Sequence, residues 1–163
     1  MIKSIFLNQK SKARKNQQAH CTYQESSSIG ILYNAEEFSD AIIDELIDGF
    51  EADLKTVGKL GYIDKAPDPE SVQNFIFTRK DISGTGGIKK DSISFFTNQS
   101  FDFLVSLNTS QNINYKFILA TSKAVCKVGL ETDWYQELLL MSIKPEDQKV
   151  ASVKSLVKYL KMI

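Results

Sequence analysis

Reactive side chains are scarce in this chain of 163 residues. It has one histidine, His20, and two cysteines, Cys21 and Cys126. That set does not build a closed zinc site, which takes about four ligands. A Cys–His nucleophilic pair needs a rigid shell, and His20-Cys21 sits in a polar stretch that offers none. The commonest general base is therefore missing from everything beyond residue 20. One cysteine in a polar arm and one in an apolar run make no disulfide framework; both read as reduced thiols in a reducing compartment. Long apolar runs are missing too. None reaches the roughly 18–20 residues that span a bilayer, and Ile5-Phe6-Leu7 is too short for the core of a signal peptide. The expectation is a cytoplasmic protein without a transmembrane segment. Net charge is also absent, with 20 bases against 20 acids, so no global field recruits nucleic acid or membrane.

The balance conceals an asymmetry. From Met1 to Gln24 the chain has Lys3, Lys10, Lys12, Arg14 and Lys15 and no acid. All the acids follow Gln24, on a mildly acidic body. With 42% apolar and 25% charged residues, that body has the composition of one soluble globular domain with a real core. We divide the chain into a basic, part-helical N-terminal arm, residues 1–27, and a domain over residues 28–163. Ile2, Ile5 and Phe6 have the i, i+3, i+4 spacing of a short amphipathic helix, and Glu25–Ser28 reads as a linker.

The domain opens with a strand–helix–strand signature. Ile29, Ile31, Leu32 and Tyr33 form a strand, and Asn34 with Glu37 stands in capping-box register. Phe38, Ile42, Leu46, Phe50 and Leu54 then recur every four residues on a helix over 35–54 that holds eight acids and no base. Val57–Ile63 is the second strand. Ala66-Pro67-Asp68-Pro69 is a loop, Phe75–Thr78 a third strand, and Ile93–Phe96 a short strand or the base of a turn. Phe101–Leu107 has the continuous apolar character of a central strand covered on both faces. Tyr115, Ile118 and Leu119 mark a short helix, Ala124–Val128 a strand and Glu137–Ile143 the last strand. Pro145 opens the final helix, whose buried face is Val150, Val153, Val157 and Leu160. The fold class is α/β: a single Rossmann-like three-layer domain with a mostly parallel sheet of five or six strands. The strands near Phe75 and Glu137 are candidates for antiparallel edges.

Ligands of open α/β sheets sit beyond the C-terminal strand ends. The residues expected there are Asn34, Asp64, Asn108, Thr109 and Ser110, of which Asn34, Asp64, Asn108 and Ser110 are the candidate ligand-binding residues. As plain structure, they are caps and turn residues. The first strand–helix turn, Tyr33-Asn34-Ala35-Glu36-Glu37-Phe38, lacks glycine and carries two carboxylates, which argues against a pyrophosphate. Gly84-Thr85-Gly86-Gly87 with Lys89 and Lys90 has the composition of a phosphate-cradling loop without the spacing of a P-loop; a hairpin loop with solvated lysines explains it as well. Asp64, Asp81 and Asp102 are the remaining acids considered for acid–base work, and nothing in the sequence pairs them. No catalytic residue, metal site or cofactor is expected.

The runs Phe101–Asn108, Tyr115–Ala120 and Ser122–Gly129, with Ser28-Ile29-Gly30-Ile31-Leu32, resemble a small uncharacterised bacterial family, a domain of unknown function. The resemblance implies a cytoplasmic α/β protein with a basic arm and brings no known activity. Asp102–Leu107 with Lys127-Val128-Gly129 is also similar, over some thirty residues, to the N-terminal half of heptosyltransferase-type glycosyltransferases. Asn34-Ala35-Glu36-Glu37 replaces their glycine-rich turn, and their second domain is not present, so that likeness implies fold alone.

Two functions follow as expectations. The first is a non-catalytic accessory domain that engages a protein or ribonucleoprotein partner through Lys3, Lys10, Lys12, Arg14 and Lys15. An anionic membrane surface is a weaker fit for the arm, and the acidic helix offers a dock for a basic partner or for the arm itself. The second is a small-ligand binder or glycosyltransferase-like enzyme working at the sheet edge.

Overall fold

The structure, a computed structural model, describes residues 21–65 and 73–163. The arm bases Lys3 to Lys15, the Ile2/Ile5/Phe6 pattern, His20 and the Ala66–Pro69 loop lie outside the described residues.

Six strands form one sheet in the order β3-β2-β1-β4-β5-β6, every pair parallel. In chain order the elements are β1 (Ser28–Asn34), α1 (Asp40–Ala52), β2 (Thr56–Tyr62), β3 (Ile76–Phe77), α2 (Asp91–Asn98), β4 (Phe103–Leu107), α3 (Ile113–Thr121), β5 (Cys126–Leu130), β6 (Met141–Ile143) and α4 (Lys149–Leu160). This is the doubly wound order that reverses beside the first strand. β4 and β5 are buried along their whole length, as their unbroken apolar runs require of strands covered on both faces.

Two cores result. Ile29, Ile31, Tyr33, Phe103, Val105 and Val128 face α1 and α4. Leu32, Leu60, Leu104 and Phe101 face α2 and α3. The alternation of neighbouring strand residues between the two cores is the period-2 geometry of the pleat. Close approach decides two glycines. A Cβ on Gly30 would sit 2.6 Å from the Phe101 ring, and one on Gly129 would sit 2.6 Å from the Ser106 carbonyl oxygen.

Several expectations are corrected. The third and last strands are parallel, not antiparallel; with two and three residues they carry no pattern that reveals direction. The last strand begins only at Met141, after a 3₁₀ turn at Gln136–Leu138. Ile93–Phe96 is part of helix α2, which buries Ile93, Phe96 and Thr97 at helical spacing and leaves Phe95 out in solvent. The first helix starts at Asp40 behind the cap Ser39, whose hydroxyl accepts from Ile42 N. Asn34 caps the preceding turn instead: its side-chain oxygen accepts from Glu36 N at 3.0 Å. Pro145 precedes α4 rather than opening it, and the buried face of α4 is Ser152, Val153, Leu156 and Leu160.

The segment leading into β1 is tied down. Tyr23 is buried against Phe50, and its hydroxyl donates to Asp53 at 2.7 Å. Lys55 is buried and donates to the Tyr23 carbonyl (2.8 Å) and the Ser26 carbonyl (2.5 Å). Asp102, just before β4, accepts from the Ser27 and Ser28 amides at 2.7 and 3.0 Å. Burial raises the Asp102 pKa, but these amides and the two serine hydroxyls outweigh it and hold the carboxyl below its usual range. Cys21, expected in a detached arm, is half-buried, and its thiol donates to the Asp102 carbonyl at 3.6 Å. Burial, and next the neighbouring Cys21 thiol, push the Cys126 thiol up, which keeps it protonated and unreactive.

Helix α1 closes with a double hydrogen bond, Leu54 N to Glu51 O (2.9 Å) and Lys55 N to Phe50 O (3.0 Å), the bonding pattern of a Schellman motif. Leu54 occupies its left-handed position at φ 61° and is 91% exposed. A side chain there costs backbone energy and returns no packing. Leu54→Gly is therefore expected to stabilise the domain by about 0.5–1 kcal/mol, and Gly129→Ala to destabilise it by about 1–3 kcal/mol; urea unfolding midpoints check both signs.

Candidate functional site

The switch point lies between the C-terminal ends of β1 and β4, which run side by side with Tyr33 opposite Leu107. β1 ends in a buried asparagine, Asn34, and β4 is followed at once by another, Asn108; they are 5% and 1% exposed. The two side chains bond directly, Asn34 Nδ2 to Asn108 Oδ1 at 3.1 Å. A doubly wound protein that binds a nucleotide holds phosphate at this crevice. Here the carboxylate of Glu37 occupies it.

Glu37 reaches the crevice because residues 35–38 make a turn before α1 begins; the Glu37 and Phe38 amides both bond to the Asn34 carbonyl, at 3.1 and 3.0 Å. Its Oε2 accepts from Thr109 N at 3.0 Å, from Thr109 Oγ1 at 2.7 Å and from Lys149 Nζ at 3.4 Å. Its Oε1 accepts from Asn34 Nδ2 at 3.1 Å and from the Ser110 hydroxyl. Burial raises the Glu37 pKa, but the hydroxyls of Ser110 and Thr109, the Thr109 amide and the Lys149 ammonium together hold it below the ordinary carboxylate range. Lys149 is the first residue of α4. A cation opposes the helix dipole at that end, and its pairing with Glu37 compensates.

The network continues outward. Asn108 Oδ1 also accepts from Ser110 N at 2.9 Å, and Asn108 Nδ2 donates to Tyr135 OH at 2.9 Å. Tyr135 OH accepts from Asn112 N at 2.9 Å and donates to the Ser110 carbonyl. Asn112 caps α3 through Asn114 N and Tyr115 N, at 2.9 and 3.0 Å, and its amide donates to Tyr62 OH at 3.0 Å. Tyr62 OH in turn donates to Asp64 at 3.1 Å. Of the four residues singled out from the sequence, Asn34, Asn108 and Ser110 therefore meet in one cluster. Asp64 stands at its margin, where its amide also donates to Glu36 at 3.3 Å.

The arrangement is poorly suited to proton transfer. A general base at neutral pH needs a raised carboxyl pKa, and Glu37 has a lowered one. Asp81 is engaged by Thr78 N at 2.8 Å, closing a capping box, and Asp102 lies at the opposite end of the sheet. The glycine-rich turn also turns inward. Ser83 N bonds Gly87 O at 2.8 Å, Gly87 N bonds Ser83 Oγ at 2.7 Å and Gly86 N bonds Ser83 O at 3.0 Å, so these amides close a hairpin rather than cradle a phosphate. Among the described residues no group of three or more His, Cys, Asp or Glu side chains is placed to hold a metal ion.

Sequence reasoning placed Thr109 at this strand end but did not join it to Glu37, Lys149 and Tyr135. The available signal was an acid three residues beyond the first strand together with hydroxyl residues directly after the strand that pairs with it. Because folding depresses the Glu37 pKa, its contribution is fully present above the unfolded-state value near 4.3 and is lost as pH falls through the lower folded value. Glu37→Gln is expected to cost about 1.5–3 kcal/mol at pH 7 and much less near pH 3. Unfolding free energies measured across that range check it; a cost independent of pH contradicts it.

Comparison with known proteins adds no chemistry to this geometry. No curated protein and no solved structure matches the chain. A family of unknown function, DUF6913, matches over residues 1–163, and the chain, with its parallel α/β sheet, belongs to that family.

Proposed function

We propose that this protein is a non-catalytic binding domain that engages a protein or ribonucleoprotein partner through the basic residues Lys3, Lys10, Lys12, Arg14 and Lys15. One observation supports the reading above others: the crevice where an α/β enzyme holds its substrate is filled by the chain's own carboxylate, with the donors of Asn34, Thr109, Ser110 and Lys149 directed at it. A ligand entering there displaces a charged group from five hydrogen bonds, each worth about 1.5–3 kcal/mol. The concentration of positive charge lies instead in residues 1–24, which contain no acid. Five bases without an intervening carboxylate suit a polyanionic surface, and such contacts weaken with salt.

A cytoplasmic setting is part of the proposal. It is supported by cysteines kept as thiols, and no helix among the described residues is long and apolar enough to cross a membrane. The competing reading, a ligand-binding or glycosyltransferase-like enzyme using Asn34, Asp64, Asn108 and Ser110, requires the crevice to open.

The test replaces Lys3, Lys10, Lys12, Arg14 and Lys15 by Gln in the full chain and compares partner capture with the wild type, with and without ribonuclease. Capture is expected to fall at least about tenfold and to weaken with salt, while the thermal midpoint stays unchanged. Equal capture contradicts the proposal, as does turnover of an activated sugar by the purified chain. Loss of capture after ribonuclease identifies the partner as a ribonucleoprotein.

A further inference from the structure

Two thiols about a hundred residues apart in sequence meet at the N-terminal edge of the sheet. Cys126 is the first residue of β5 and stands opposite Phe103 of β4. Its amide donates to the Asp102 carbonyl at 3.0 Å. The Cys21 thiol donates to the same carbonyl at 3.6 Å. Both side chains belong to the core under α1 and α4, Cys126 within it and Cys21 packed against it. The two thiols also hydrogen-bond to each other, and the Cys21 amide donates to the Cys126 sulfur. One carbonyl, one strand start and the segment entering β1 thus hold the pair in contact.

The two cysteines differ in access. Cys126 is 2% exposed and lies in a strand buried along its whole length. As a small apolar side chain it needs no further reason to be there. Cys21 is half-buried and lies outside any helix or strand. A disulfide needs its sulfurs about 2.05 Å apart and its Cβ atoms about 3.5–4.5 Å apart. Cys126 is held by the strand ladder, so Cys21 is the side that adjusts. A small oxidant in solution meets Cys21 first, and Cys126 is reached through it.

We propose that Cys21 and Cys126 form a reversible disulfide on exposure to a small-molecule disulfide, with Cys21 the entry thiol and Cys126 the thiol that resolves it. The Cys21 thiolate attacks one sulfur of the small disulfide; that S–S bond breaks, and the other half leaves and takes up a proton. Cys126 then gives up its proton, and its sulfur attacks Cys21 Sγ. The mixed S–S bond breaks, and the second small thiol leaves with a proton. Two protein thiols are thereby oxidised by two electrons, and the small disulfide is reduced to two thiols. Burial chiefly, and the Cys21 thiol next, hold the Cys126 proton in place, which keeps Cys126 inert while Cys21 is free. Once Cys21 is in a mixed disulfide its thiol no longer contributes, and its amide still donates to the emerging Cys126 thiolate. In a reducing compartment such a bond is transient and redox-sensing. It closes a loop of about a hundred residues and fastens to β5 the residue that follows the basic arm. The inference goes beyond the partner reading and does not depend on it.

The test incubates the reduced full chain with excess glutathione disulfide under native conditions, then quenches in acid, alkylates and measures intact mass. The product is expected to have lost two hydrogens and both free thiols, to carry no glutathione and to form no covalent dimer; dithiothreitol restores the starting mass. Cys126→Ala is expected to stop with one glutathione on Cys21, and Cys21→Ser to stay unmodified. The thermal midpoint of the oxidised wild type is expected to rise by about 5–15 °C, as for a bond that fits the native geometry and spans a long loop. Glutathione retained on the wild-type chain, a covalent dimer, or both thiols still free after a day overturns the proposal, and these readings need neither variant to fold. An oxidised chain whose midpoint does not rise overturns it as well. So does folded Cys21→Ser that takes up glutathione at Cys126 as fast as the wild type loses its thiols.

Discussion

Glu37 is the side chain on which the upper edge of this sheet depends. A doubly wound fold leaves a crevice where the crossovers diverge, and strand ends there present amides and short polar side chains that need an anion or water. This chain supplies the anion from its own first turn. The carboxylate draws in the amide and hydroxyl of Thr109, the hydroxyl of Ser110, the amide group of Asn34 and the ammonium of Lys149. It thereby joins the end of β1, the loop after β4 and the start of α4, three segments far apart in sequence. A half-satisfied polar network at a buried edge is costly; here Asn34 and Asn108 use both their donors and their acceptors.

The same logic of satisfied ends runs through the rest of the fold. Buried Lys127 donates to the carbonyls of Leu119 and Ala120 at the C-terminus of α3, where a cation favours the helix dipole. Buried Lys55 closes the turn before β1, and Asp102 collects the amides at the strand entrances.

Much of the architecture was legible in the sequence. The uninterrupted apolar runs of β4 and β5 mark central strands, and the strand–helix–strand opening fixes a parallel class. What escaped was short. α2 has eight residues and one exposed phenylalanine, Phe95, inside its apolar cluster, so its period is not distinguishable from a strand's. β3 and β6 are too brief to carry a direction. Leu54 follows the four-residue spacing of α1 yet lies beyond the helix end in a left-handed conformation, which periodicity alone does not reveal. Asn34, Asn108 and Ser110 were placed together at the sheet edge because strand ends are predictable. Glu37 was not found as their centre because its partners are 72 and 112 residues away. Which strand neighbours β1 is decided by winding, and no local pattern encodes that.

The central claim is that the crevice between β1 and β4 is closed by the protein's own carboxylate at neutral pH. The most direct measurement is a two-dimensional amide spectrum of the full chain titrated with inorganic phosphate, a nucleoside diphosphate and a nucleotide sugar, watching Thr109 and Ser110. Both amides are committed to internal acceptors, Glu37 and Asn108, so their resonances are expected to stay in place through the titration. A saturable shift of both amides with any of the three ligands would show the crevice open and contradict the account.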